Sequence, residues 1–230
     1  MIKAILFDFN GVIINDEPLQ MKAYQEILAK EGITLSEEDY YSCLGMDDKT
    51  FIEAAYRRAD KKADANKVLE ITQAKTNRWR ELIATEVPLF EGVEDFIKKT
   101  AQDFALGIVS MARREEIEYV LERANLGGYF STIVSAEDVE LCKPAPDCYL
   151  KGLKKLNEYQ SNAGKPSFQA HECLAIEDSP PGIASARAAG MRTLGVTNTV
   201  AAEELRAAGA EVVSKDLADW TVETVELVFA

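Results

Sequence analysis

Lys3-Ala-Ile-Leu-Phe-Asp-Phe-Asn-Gly-Val-Ile-Ile-Asn15 begins as an apolar run and stops abruptly at an acid, Asp8. Ala4 to Phe7 read as a central strand of a parallel sheet, because a strand covered on both faces is apolar nearly throughout. Asp8 then stands at the carboxyl end of that strand, where open α/β sheets gather their ligands at a topological switch point. Gly11 lets the chain turn away just beyond it. An ordinary turn would use the same two residues. The two readings part over where the other strands of the chain end.

Outward from this stretch the pattern changes twice. From Glu17 to about Pro88 the apolar residues recur at helical spacing: Leu19, Ala23, Ile27 and Leu28 first, then Phe51, Ala54 and Ala55, then Val68, Ile71, Trp79, Leu82 and Ile83. Capping or turn signals fall at Ser36-Glu-Glu, at Gly45-Met-Asp-Asp and in the polar run Ala59 to Lys67. This predicts an all-helical insert, residues 16–88, placed to lie over the end of the first strand as a lid. Past Pro88 strand and helix alternate. Strands are expected at Ala105–Ser110, Thr132–Ser135, Cys173–Asp178, Arg192–Val196 and Glu211–Val213. Helices are expected at Val93–Thr100, Arg114–Ala124, Asp147–Leu156, Ile183–Ala189 and Ala202–Ala208, with another inside Leu217–Phe229 and a polar loop at Asn157–Gln169. Such alternation predicts an α/β fold, a Rossmann-like parallel sheet with right-handed crossovers, formed by residues 1–15 and 89–230.

The balance of 26 basic against 39 acidic residues, a net charge of -13, opposes binding to nucleic acid or an anionic membrane. An anionic substrate would need a local positive site. Cys43, Cys142, Cys148 and Cys173 lie far apart with no CxxC pair, and His171 is the only histidine, so zinc-site spacing is absent. Free thiols, no signal segment and no apolar run near twenty residues lead us to expect a cytoplasmic protein, a monomer or weak homodimer.

The ends of the expected strands carry Asp8, Ser110 and Glu177-Asp178, and the loop before one helix carries Lys143-Pro144. Converging on one cleft, these groups suit phosphoryl transfer. Asp8 and Asp178 are hard oxygen ligands of the kind Mg2+ takes beside water and phosphate. Ser110 can donate to a phosphoryl oxygen, and Lys143 can match the charge that spreads over those oxygens in the transition state. Asp8 can itself attack phosphorus to give an aspartyl-phosphate.

Asp8-Phe-Asn-Gly-Val, Ser110, Lys143-Pro-Ala-Pro-Asp147 and Ile176-Glu-Asp-Ser-Pro-Pro-Gly-Ile-Ala-Ser-Ala-Arg-Ala-Ala-Gly190 resemble, in order, the four motifs of the haloacid dehalogenase-like hydrolases. The chain is most similar to the branch with a helical cap that includes beta-phosphoglucomutase and phosphoglycolate-type phosphatases, and the match runs nearly end to end. The resemblance implies a three-layer core with Mg2+ at Asp8, the backbone carbonyl of Asn10, and Asp178 with help from Glu177. It also implies Asp8 as nucleophile and phosphate contacts from Ser110 and Lys143, with Met111 beside them.

Asn10 departs from the family, which places an aspartate there as general acid and base. An amide cannot carry a proton near neutral pH. Another acid such as Asp16 or Glu17, slow turnover, or a protein that only binds a phosphorylated ligand would each follow. Gln20 and Asp48 stand where mutase-like relatives have a histidine and a phosphate-gripping arginine, while Lys75 matches their cap lysine, and the resemblance implies it as a substrate-binding residue together with Ser110, Met111 and Lys143. Lys75, Arg78 and Arg80 also read as one solvated helix face, and Trp79 as core. The expected function is a phosphatase acting on a small phosphate ester, with a sugar phosphomutase and a phospho-ligand binder as alternatives.

Overall fold

The computed structural model describes residues 1–230. Its centre is β1 (Ala4–Phe7), buried at every residue. Around β1 lie β2 (Ala105–Val109), β3 (Thr132–Val134), β4 (Cys173–Glu177), β5 (Arg192–Val196) and β6 (Val212–Ser214). The order is β3-β2-β1-β4-β5-β6 and every pairing is parallel. Phe7 is in register with Ile108 of β2 and Ile176 of β4. Asp8, Ser110 and Asp178, the residues just past the ends of β1, β2 and β4, therefore leave the sheet side by side at the switch point, with Glu177 closing β4.

Alternate residues of β1 serve opposite layers. Ile5 and Phe7 join Phe96, Ile117, Val225 and Phe229 in one core, under α5 (Val93–Thr100), α6 (Arg114–Arg123) and α10 (Val222–Val228). Ala4 and Leu6 join Cys148, Tyr149, Leu156 and Ala186 in a second core, under α7 (Asp147–Asn162) and α8 (Pro180–Ala188). A shorter helix, α9 (Ala202–Ala208), lies beside β5 and β6. The result is a three-layer α/β sheet.

Between β1 and α5 come four helices: α1 (Glu17–Lys30), α2 (Glu37–Tyr41), α3 (Asp48–Arg58) and α4 (Ala65–Leu82). Ser36, Asp47 and Asp64 cap the last three by accepting from the backbone N–H three residues on, at the three signals read from the sequence. Tyr24, Leu28, Tyr40, Phe51, Ile52 and Ile71 form a separate apolar cluster within this helical cap. The chain leaves and re-enters the core at one place, where the N–H of Asn15 donates to the carbonyl of Pro88 at 2.7 Å. On that contact we rest a proposed division into a core of residues 1–15 and 89–230 and a cap of 16–88.

Several boundaries differ from the sequence reading, most of them by a single residue. α7 continues to Asn162 through the polar stretch expected as loop, because Tyr149, Gly152, Leu156 and Gln160 keep one buried stripe at helical spacing. α8 starts at Pro180, where proline suits a first helical turn and Ser179 accepts from Gly182 N–H. β6 is displaced by one residue, to Val212–Ser214.

Candidate active site

Asp8 follows β1 directly and is 8 % exposed. One of its carboxylate oxygens accepts from the N–H of Phe9 at 2.7 Å, and the other lies 3.0 Å from the ammonium of Lys143. The next turn needs glycine. Gly11 has φ +74°, and a Cβ there would fall 1.8 Å from a carboxylate oxygen of Asp178. The backbone thus passes as close to Asp178 as a chain can.

Lys143 is buried among three acceptors: Glu177 at 2.6 Å, Asp8 at 3.0 Å and the carbonyl of Val109 at 3.3 Å. Burial opposes its charge, but Asp8 and Glu177 more than offset this and hold the ammonium protonated. Glu177 also accepts from the hydroxyls of Tyr149 at 2.7 Å and Ser179 at 3.3 Å. Its carboxyl is pushed up to about 7, by burial first and by the nearby charge of Asp8 second. Asp178 is raised well above the carboxylate range by burial, then by Asp8 and Glu177.

Oxygens of Asp8, Glu177 and Asp178 lie within 4.8 Å of one another. Three acids against one ammonium leave a deficit of positive charge that a hard divalent cation fits. Asp8 and Asp178 line the cleft beside it. Glu177 is committed to Lys143, Tyr149 and Ser179, so its contribution is to hold Lys143 in place.

Ser110 completes the floor. Its Oγ accepts from the N–H of Ala112 at 3.1 Å, leaving the hydroxyl proton to be donated. Met111 follows it in the wall.

These core residues share a cleft of about 710 Å3, solvent-open mouth included, with residues of the helical cap. Glu17, Gln20 and Tyr24 of α1, Tyr40 of α2, Asp48 of α3 and Lys75 of α4 all line it.

The amide of Asn10 is turned to Asp16, donating to both carboxylate oxygens at 2.9 and 3.0 Å. Asp16 accepts also from Gln20 at 3.0 Å and the indole of Trp79 at 2.7 Å. It is fully buried and is raised to about 6 by burial, against the pull of those three donors. Glu17, on the cleft wall, accepts from the hydroxyl of Tyr40 at 2.6 Å. Burial and then the neighbouring Asp16 raise it to about 7.

Lys75 is not part of a solvated face. It is buried against Glu116 at 2.9 Å and Asp48 at 3.0 Å, whereas Arg78 and Arg80 do lie outside, paired with Glu26 and Glu115. Trp79 is core, with its indole N–H used on Asp16. Cys142 spans core and cap, its sulfur accepting from the N–H of Asp47 at 3.4 Å. His171 lies outside the cleft. Glu116 and Tyr40 escaped sequence reading. Glu116 looks there like an ordinary acid in the first turn of a helix.

Residues 5–196 match the family described as haloacid dehalogenase-like hydrolase. Protein CbbY of Rhodobacter capsulatus is 33% identical over 202 residues, 84% of each chain. Hexitol phosphatase B of Escherichia coli (strain K12) is 27% identical over 222 residues, 96% of this chain and 95% of that one. A solved structure of an Asp-to-Asn mutant of CbbY from Rhodobacter sphaeroides, in complex with xylulose-(1,5)bisphosphate, superposes with a TM-score of 0.78 at 27% identity. It covers 95% of this chain and 96% of that one. With the same sheet, the same inserted helices and the motif residues gathered in one cleft, the chain belongs to the haloacid dehalogenase-like hydrolase family.

Proposed function

We propose that this protein is a Mg2+-dependent phosphatase that hydrolyses a phosphorylated carbohydrate through an aspartyl-phosphate on Asp8. The observation that carries this reading is the single cleft in which Asp8, Lys143, Ser110 and Asp178 meet. The relatives named above lend the substrate class. Asp8, Asp178 and the backbone carbonyl of Asn10 would hold Mg2+, which when bound neutralises phosphate charge. Ser110 and Lys143 bind the phosphoryl oxygens. An oxygen of Asp8 attacks phosphorus as the ester P–O bond breaks, and the departing sugar oxygen takes a proton from the carboxyl of Glu17. Water then attacks the phosphoenzyme, gives its proton back to Glu17, and orthophosphate leaves Asp8.

Glu17 takes the proton-carrying part because Asn10 and Asp16 are unable to. Asn10 has no proton to exchange, and Asp16 is enclosed by three donors with no exposed surface. Of these three, Glu17 combines a place on the wall with an affinity for protons near neutrality, and Asp178 is assigned to the metal. A binder without turnover would not require such a group. A mutase reading lacks a cap cation for a second phosphate.

The test is phosphate release from a panel of sugar phosphates, with Mg2+ and with chelator. Release is expected only with metal, and Asp8→Asn is expected to abolish it while leaving the melting temperature near that of the parent. Mg2+ should raise the melting temperature of the parent and not that of Asp178→Asn. Turnover by Asp8→Asn, or full turnover in chelator, would overturn the proposal.

A further inference from the structure

We propose that Asn198, on the loop after β5, is a positioning residue for the metal: its side-chain amide holds the turn at Gly11, and so keeps the Asn10 backbone beside Asp178. This rests on the phosphatase reading above, which assigns Mg2+ to Asp8, Asp178 and the carbonyl of Asn10. Asn198 lies outside the four motifs, 187 residues from the turn that it holds.

The sheet explains how it gets there. β5 pairs with β4, and Gly195 stands in register with Glu177. Asn198, three residues further on, thus leaves the sheet at the same end as Asp178 and reaches across to the loop that follows β1. Its Nδ2 donates to the carbonyl of Gly11 at 2.8 Å. The N–H of Gly11 donates in turn to the carbonyl of Ile14 at 3.0 Å. Both peptide planes that flank Gly11 are therefore held, one from within the loop and the other by Asn198 from across the sheet. A trans peptide is planar, so a fixed Gly11 N–H also fixes the direction of the Asn10 carbonyl in the same plane. Glycine has the most freely turning backbone of any residue, and here both of its polar groups are tied. The path it keeps is narrow. A Cβ on Gly11 would come within 1.8 Å of an Asp178 oxygen and 2.8 Å of the Thr199 hydroxyl.

The experiment is calorimetric titration of Mg2+ into the metal-free protein, with no substrate present. Asn198→Ala is expected to weaken Mg2+ binding by about 10- to 100-fold, the usual cost of losing a group that orients a metal ligand. The Mg2+ concentration that gives half-maximal phosphate release should rise in step, while kcat in saturating Mg2+ changes much less. The metal-free melting temperature should fall by only about 2–4 °C, the worth of one hydrogen bond in a chain of this length. Asn198→Gln keeps an amide donor on a longer arm and should bind Mg2+ more tightly than Asn198→Ala. Thr197→Ala is the control. The Thr197 hydroxyl donates to the carbonyl of Lys215 at 3.3 Å, not to the turn, so Mg2+ affinity should stay at the parent value. Parental Mg2+ affinity in Asn198→Ala overturns the inference. An equal loss in Thr197→Ala does so too, since the effect is then a general loosening of the loop. A parent that binds Mg2+, loses it in Asn198→Ala and hydrolyses no ester sustains the inference and sinks the phosphatase reading. Metal-dependent hydrolysis with Mg2+ affinity untouched by Asn198→Ala does the reverse.

Discussion

Glu17→Gln is expected to lower kcat for a sugar phosphate by about 10^2 to 10^4, the usual worth of a positioned general acid and base. The loss should be smaller for p-nitrophenyl phosphate, whose leaving group departs without a proton. Asn10→Asp introduced into Glu17→Gln should restore most of the activity, because it returns a titratable acid to the loop that carries Asp8. For sugar esters the parent should lose rate as pH rises through about 7, where the Glu17 carboxyl ionises, and this limb should vanish in Glu17→Gln. Stability supplies an independent readout. Burial and then Asp16 raise Glu17 from 4.5 to about 7, so the folded state holds this proton more tightly than the unfolded chain. The stabilisation is complete below about 4.5 and is lost as pH climbs through about 7. At pH 8 the ionised carboxylate weighs against the fold, and Glu17→Gln should then melt higher than the parent; near pH 4 the difference should disappear. A variant that loses turnover and gains stability identifies a group kept for chemistry. Loss of stability at pH 8 together with unchanged kcat would remove Glu17 from the mechanism.

The legible part of this site is what a strand end carries. β1 is legible as four apolar residues in succession with an acid immediately after them, and Ser110 follows β2 and Asp178 follows β4 in the same way. Glu17 and Asp16 were harder, because two acids at the start of a helix are what its dipole favours anyway. Only the fold sends Trp79, 63 residues away, to one of them and leaves the other on the cleft wall. Lys75 has a cue in its own helix. Val68, Ile71, Thr72, Lys75, Thr76 and Trp79 make one buried stripe of α4, so the lysine lies on the inward face by its own periodicity. Its partner Glu116 sits 41 residues on in another layer, and no local pattern joins them. The α7 boundary failed for a related reason: polarity of Asn157 to Asn162 masked a stripe that Leu156 and Gln160 continue.

Lys143→Met should both silence the enzyme and destabilise it, and the two effects can be separated. The ammonium is the only cation among Asp8, Glu177 and Asp178 in the metal-free protein. Removing one partner of a buried ion pair costs about 3–5 kcal/mol, because the other is left uncompensated. For a chain of this length each kcal/mol moves the melting temperature by about 2–4 °C, so a fall of about 6–20 °C is expected at pH 8 in chelator. The sign of the pH dependence follows from Glu177, whose carboxyl burial and Asp8 raise to about 7 even beside the lysine. As pH falls below that value Glu177 takes up a proton, the uncompensated charge diminishes, and the gap between variant and parent should narrow. Adding Glu177→Gln to Lys143→Met removes a charge at constant shape and should recover much of the lost melting temperature. It should recover no turnover, since nothing then meets the charge on the phosphoryl oxygens. Recovery of both would make Lys143 a purely structural counterion. Retained activity in Lys143→Met alone would take it out of the phosphate site.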